Sequence, residues 1–162
     1  MTNHDIFNFK DYDIIDKSYT PVNTDEEWTH TKIFGLLFTA SWCPPCKLFE
    51  ESLAVFYHDI NSKLDTGGKG FEIIHVASEK TKADFKESIQ KLDWVFLRYD
   101  DKLIHMIAEE LNVECIPALY IFSDKGKLLS SDGRKDITTL STKDVWETWI
   151  KLYWNLHPNE IA

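Results

Sequence analysis

Three stretches of the chain are apolar with little polar interruption: Lys32–Ala40 (KIFGLLFTA), Phe71–Ala77 (FEIIHVA) and Pro117–Phe122 (PALYIF). Short runs without alternation predict strands buried on both faces. Between the first two, Phe49, Leu53, Phe56, Ile60 and Leu64 recur at steps of three and four. That period predicts one face of a helix of about five turns. Lys47, Glu50, Glu51, Asp59 and Lys63 fall on its other, solvent side. Thr66-Gly67-Gly68-Lys69-Gly70 ends the helix in a loop. Thr81-Lys82-Ala83-Asp84 has the hydroxyl-x-x-acid form of a helix start, and the helix is expected to reach Leu92. Asp93–Asp101 reads as an aromatic loop carrying Trp94, Phe96 and Tyr99, and Lys102–Leu111 as a further helix. Ser123-Asp124-Lys125-Gly126 is a tight turn that returns Lys127–Ser131 as an antiparallel strand. Ser141-x-x-Asp144 opens a last helix, whose Trp146, Trp149, Ile150 and Tyr153 share a face.

Strand, helix and strand in this order imply a right-handed crossover between parallel neighbours. With the later hairpin they predict an α/β fold, a central mixed β-sheet flanked by helices on both faces. Residues 1–31 are polar and irregular around Pro21, with Tyr12–Ile15 as a short strand or arm. They are expected to form an N-terminal extension packed on the core. Residues 32–155 then make one domain, and 156–162 a C-terminal tail. A chain of 162 residues that is 43% hydrophobic and 14% aromatic can bury one such core. The net charge of −9 argues against nucleic-acid binding and against docking on anionic membranes. The start, MTNHDIFNFKDYDIID, has no apolar signal core, and the run Ile33–Phe38 is too short to span a bilayer. A cytoplasmic location and a monomer are the expectations.

Against that background one stretch stands apart. Two of the three cysteines and two of the five prolines occupy Cys43-Pro44-Pro45-Cys46. A redox pair, half of a zinc site and a structural disulfide are the open readings. Zinc needs a second cysteine or histidine pair, and the chain offers only Cys115 and scattered histidines. A structural disulfide is disfavoured in a reducing compartment. Redox chemistry fits the position. Cys43 falls where a buried strand ends and a helix begins, and unpaired N–H groups there favour a thiolate. Pro44 suits the first helical position. Cys46 comes back one turn later, more buried, to resolve a mixed disulfide formed at Cys43. No bound cofactor or metal is needed, because the cysteines themselves carry the two electrons.

Phe38-Thr39-Ala40-Ser41-Trp42-Cys43-Pro44-Pro45-Cys46-Lys47 resembles the F-S-A-S-W-C-P-P-C-R signature of tryparedoxins and nucleoredoxins, a branch of the thioredoxin superfamily. Phe71–Lys80 is similar to their second strand, Trp94 and its aromatic neighbours to their Trp-Leu-Pro-Phe segment, and Asp132-Gly133-Arg134 to the nucleoredoxin D-G-R. The resemblance spans about residues 32–154. It implies a thioredoxin fold and a thiol–disulfide oxidoreductase with Cys43 attacking and Cys46 resolving. It also implies a cis-proline at Pro117, with the backbone of Ile116 pairing with the substrate and Trp42, Pro44 and Pro45 around the site. The implied partners are disulfide-containing proteins, peroxiredoxins among them, and an upstream thiol or flavoprotein reductant. A redox-sensitive protein-binding module and a disulfide oxidase or isomerase are the alternatives.

Two departures accompany the resemblance. Thioredoxins carry a buried aspartate six residues before the first cysteine, and this chain has Leu37 there. Glu79 is the nearest candidate to assist Cys46 in its place, although as a loop acid it reads as solvated. The aromatic loop lacks the family proline and has Arg98 nearby. Elsewhere, Cys115 reads as a half-buried free thiol close to the pair. Trp42 is expected to shield the dithiol, and His75 to be a hydrogen-bonded core histidine. Trp146, Trp149 and Trp154 read as core.

Overall fold

The computed structural model describes residues 6–63 and 69–160. Leu64 and the Thr66-Gly67-Gly68 part of the predicted loop lie outside the described residues.

Two of the predicted strands form the centre. β2 (Ile33–Thr39) and β3 (Phe71–Ala77) run parallel, in register from Ile33 opposite Phe71 to Thr39 opposite Ala77. Every residue of both is buried. Ile33 and Leu37 face one core with Phe71 and Ile73, while Phe34, Leu36 and Phe38 face a second with Ile74 and Val76. Both faces are covered, so neither strand shows a polar alternation. β5 (Ala118–Ser123) pairs antiparallel with the other edge of β2, and β6 (Leu128–Ser130) pairs antiparallel with β5.

Among the described residues the sheet has six strands: Ile14–Ile15 (β1) and Val95–Leu97 (β4) extend it on the β3 side, giving the order β1-β4-β3-β2-β5-β6. β1 (Ile14–Ile15) lies within the predicted Tyr12–Ile15 stretch. β4 (Val95–Leu97) corrects the reading of Asp93–Asp101 as a loop. It runs parallel to β3 and antiparallel to β1. Three residues are too few to show a period, and their pairing comes from neighbours distant in sequence.

The long helix is α2 (Pro44–Lys63), which buries Cys46, Phe49, Leu53, Phe56, Tyr57 and Ile60. α3 (Lys82–Ile89) and α6 (Thr142–Leu156) start at the predicted caps: the Thr81 and Ser141 hydroxyls accept the N–H groups of Asp84 and Asp144. These helices contribute to the core that includes Trp149 and Tyr153, with Trp146, Ile150 and Trp154 packed at its edge. On the opposite face lie α4 (Leu103–Glu110), through Ile107, and the arm from Ile6 to Tyr12. Phe7 stacks on Phe122 at 4.7 Å, and Phe9 lies 5.1 Å from Phe34. A short α1 (Thr24–Glu27) precedes Trp28, whose ring meets Phe34 edge-on. One further helix, α5 (Gly133–Thr139), was hidden by its polar sequence. Asp132 caps it, and Gly133 sits so close to the sheet that a Cβ would come within 3.0 Å of Leu119. Among the described residues no helix is long and apolar enough to cross a membrane.

Candidate functional site

β2 ends at Thr39, and Ala40-Ser41-Trp42 carry the chain from the sheet to the start of α2. Cys43 is the residue just before that helix. Its carbonyl accepts the N–H groups of Cys46 and Lys47 at 3.1 and 3.3 Å. Its sulfur also receives the Cys46 N–H, at 3.3 Å. That donor is a backbone N–H of the first helical turn. Pro44 and Pro45 open the helix and are exposed. Pro44 gives up an N–H that the helix would leave unpaired in any case.

Cys46 is fully buried, whereas Cys43 keeps 7% of its surface. Both are thiols. Burial pushes the Cys46 thiol up to about 11, and its hydrogen bond with Cys43 acts in the same direction. Hydrogen bonds from the Ala40 backbone and the Thr39 hydroxyl oppose the rise. At neutral pH Cys46 therefore holds its proton until something takes it.

Ile116 packs against Ala40, Cys43 and Cys46. The Ile116–Pro117 peptide bond is cis, and Pro117 is buried at the head of β5. Trp42 is 54% exposed, with its indole N–H held by the Ser78 carbonyl at 2.9 Å.

Three sequence expectations need correction here. Glu79 is not a solvated loop acid: it is only 9% exposed. Its carboxylate accepts the Ser41 N–H at 2.9 Å and the Ser41 hydroxyl at 2.6 Å, anchoring the loop that leads into Cys43. Cys115 is exposed, not half-buried, and lines an open groove with Pro117, Tyr120, Asp132 and Arg134. Glu50 is not on the solvent side of its helix. It is half-buried and accepts the hydroxyl of Thr39, a fully buried residue. Thr39 and Glu50 were not singled out as site residues. The signal was a spacing: Glu50 lies four residues after Cys46, hence on the same helix face. His75 is a core residue as expected. Its Nδ1 accepts the Trp94 indole N–H at 3.1 Å, and burial lowers it to about 3.

Residues 31–128 match the family described as thioredoxin-like. The chain is similar to a probable nucleoredoxin 3 of Oryza sativa, 30% identical over 107 residues, covering 66% of this chain and 22% of that protein. It thus spans about a fifth of that relative's length. It is also similar to the tryparedoxin of Trypanosoma brucei, 32% identical over 105 residues, covering 64% of this chain and 69% of that one. Among solved structures, a thioredoxin from Wuchereria bancrofti superimposes with a TM-score of 0.72 at 22% identity, covering 88% of this chain and 96% of that one. At that identity the likeness speaks for the fold.

Proposed function

This chain belongs to the thioredoxin-like family, in its tryparedoxin and nucleoredoxin branch, and from that we propose that it reduces protein disulfides through Cys43 and Cys46. One observation supports this reading above the rest: a nearly buried sulfur that receives a helix N–H, backed by a fully buried thiol that stays protonated at neutral pH. In the proposed cycle the Cys43 thiolate attacks a substrate sulfur and releases the other substrate sulfur as a thiolate. Cys46 then attacks Cys43, forms the Cys43–Cys46 disulfide and frees the remaining substrate thiol. Trp42, Pro44 and Pro45 form the exposed rim on which a substrate lands. The backbone of Ile116, fixed by Pro117, aligns it. Disulfide-containing proteins are the proposed substrates, peroxiredoxins among them. A low-molecular-weight thiol or a flavoprotein reductase restores the dithiol.

The test is the reduction potential of the pair, equilibrated against glutathione or dithiothreitol, with Cys43→Ser as control. A value near that of thioredoxin, about −270 mV, supports a reductant. A value of roughly −180 to −120 mV would make the protein an oxidase or isomerase. Failure to form any Cys43–Cys46 disulfide would remove the enzymatic reading and leave a binding module.

A further inference from the structure

The resolving thiol poses a problem that the dithiol alone does not solve. Cys46 is protonated and shut off from water, so its proton needs a carrier when it attacks. The position where thioredoxins have an aspartate holds Leu37, which is fully buried. Glu79 is committed to Ser41. A different carboxylate stands behind the pair. Thr39 immediately precedes Ala40, which packs with Cys46, and its hydroxyl donates to Oε2 of Glu50, one helical turn after Cys46 on α2; the same hydroxyl helps to lower the Cys46 thiol. Thr39 is fully buried.

We propose that Glu50, acting through the Thr39 hydroxyl, takes the proton of Cys46 during resolution of the mixed disulfide. The inference rests on the dithiol reading above. A hydroxyl has one proton to give, so the three groups have two settings. In the first, the Cys46 S–H donates to Thr39 and Thr39 donates to the Glu50 carboxylate. In the second, the Glu50 carboxylic acid donates to Thr39 and Thr39 donates to the Cys46 thiolate. Passing between them shifts two protons together: the Thr39 hydroxyl proton goes to Oε2 and the Cys46 proton goes to Thr39, so the net change is one proton from sulfur to Glu50 and Thr39 remains a hydroxyl. The thiolate so formed attacks the Cys43 sulfur. The Cys43–Cys46 bond forms, the bond from Cys43 to the substrate sulfur breaks, and the substrate leaves with the electron pair and is protonated by water. Glu50 then returns its proton to solvent through its exposed side.

The surroundings suit a group that changes charge. Burial raises the Glu50 carboxyl, so it takes a proton more readily than a surface acid. The charged and titratable groups that act on it are Lys47, one turn earlier on α2, and Glu79 from the loop after β3; Lys47 opposes the rise and Glu79 adds to it. Glu50 is thus a positioning residue for the proton, and Thr39 is its proposed link to the reacting sulfur.

The test follows the two steps separately in the full chain, with Cys115→Ser removing the exposed third thiol. One equivalent of 5,5′-dithiobis(2-nitrobenzoate) is mixed with reduced protein in a stopped-flow instrument. The first nitrothiobenzoate reports attack by Cys43 and the second reports resolution by Cys46. Glu50→Gln keeps an acceptor for Thr39 but takes no proton. It is expected to slow the second release about 10- to 100-fold at neutral pH, at or below the low end of general-base effects. Its second-step pH profile should move to higher pH while the first step is unchanged. Thr39→Val should behave in the same way, and Thr39→Ser should restore the rate. A Glu50→Gln protein with the wild-type second step and profile would overturn the role of Glu50, as would equal slowing of both steps. If the wild-type protein never makes the second release, the dithiol reading itself fails and this inference with it.

Discussion

Burial divides the labour between the two thiols. Cys43 lies 7% exposed with a helix N–H on its sulfur, and Cys46 has no surface at all. In the proposed cycle an outside disulfide therefore meets the first, and the second releases it. Cys46→Ser is expected to convert the protein into a trap that holds one substrate equivalent on Cys43. Intact-mass analysis before and after dithiothreitol would detect it, and an adduct on Cys115 alone would refute it. His75 carries a separate consequence of burial. It stays neutral in the fold down to about pH 3, whereas an unfolded histidine takes its proton near 6.5. Between those values the unfolded chain binds more protons, so this contribution to stability is intact above pH 6.5 and is lost as pH falls. On going from pH about 7.5 to about 5.5, wild-type protein should lose about 1.4 kcal/mol more than His75→Gln. Urea melts at the two pH values measure the difference, and equal losses would show that His75 does not set it.

At the level of elements, what can be read in advance depends on how much of an element's environment its own residues encode. β2, β3 and α2 are legible because their apolar runs and periods are the imprint of cores on both sides of the sheet. The starts of α3 and α6 are legible because Thr81 and Ser141 place a hydroxyl three residues before an acid. Ser141→Ala should cost about 1 kcal/mol of stability, seen as a lower urea midpoint at unchanged slope. β4 is not legible, since Val95–Leu97 become a strand only by lying between β1 and β3. α5 is not legible either: its buried residue is a glycine, which carries no apolar signature. The site divides in the same way. Cys43 to Cys46 announce themselves by adjacency, whereas Thr39 and Glu50 meet across a strand and a helix. Charge alone sorted Glu50 to the solvent face. Its phase relative to Cys46 turns it inward, and phase outweighs charge when a buried hydroxyl waits opposite.

Across the whole molecule, the sheet separates chemistry from support. The dithiol lies beyond the end of β2 at Thr39, while the arm from Ile6 to Tyr12 covers the start of that strand at Phe34. Five residues of extended chain separate the two places by about 17 Å. Phe9 is 3% exposed and meets Phe34, Tyr12 and Phe122 at ring distances of 5.1 to 5.5 Å. Phe7 covers Phe122 beside it, and Gly126, at a φ of +76°, lets the β5–β6 turn approach the Phe7 carbonyl where a Cβ would be 2.8 Å away. The arm is therefore proposed to be part of the folded core, built from aromatic contacts that the polar look of residues 1–31 conceals. Phe9→Ala removes an aromatic ring from a closed site and should cost about 3–5 kcal/mol. Because the site lies at the other end of the strand, the rates of both nitrothiobenzoate releases should stay within about twofold of wild type, as expected of distant, independent sites. Chemical denaturation and the stopped-flow assay on the same preparation decide it. A large loss of rate in a protein that is still folded would mean that the arm reaches the dithiol through the sheet. A negligible loss of stability would mean that the arm only rests on the surface.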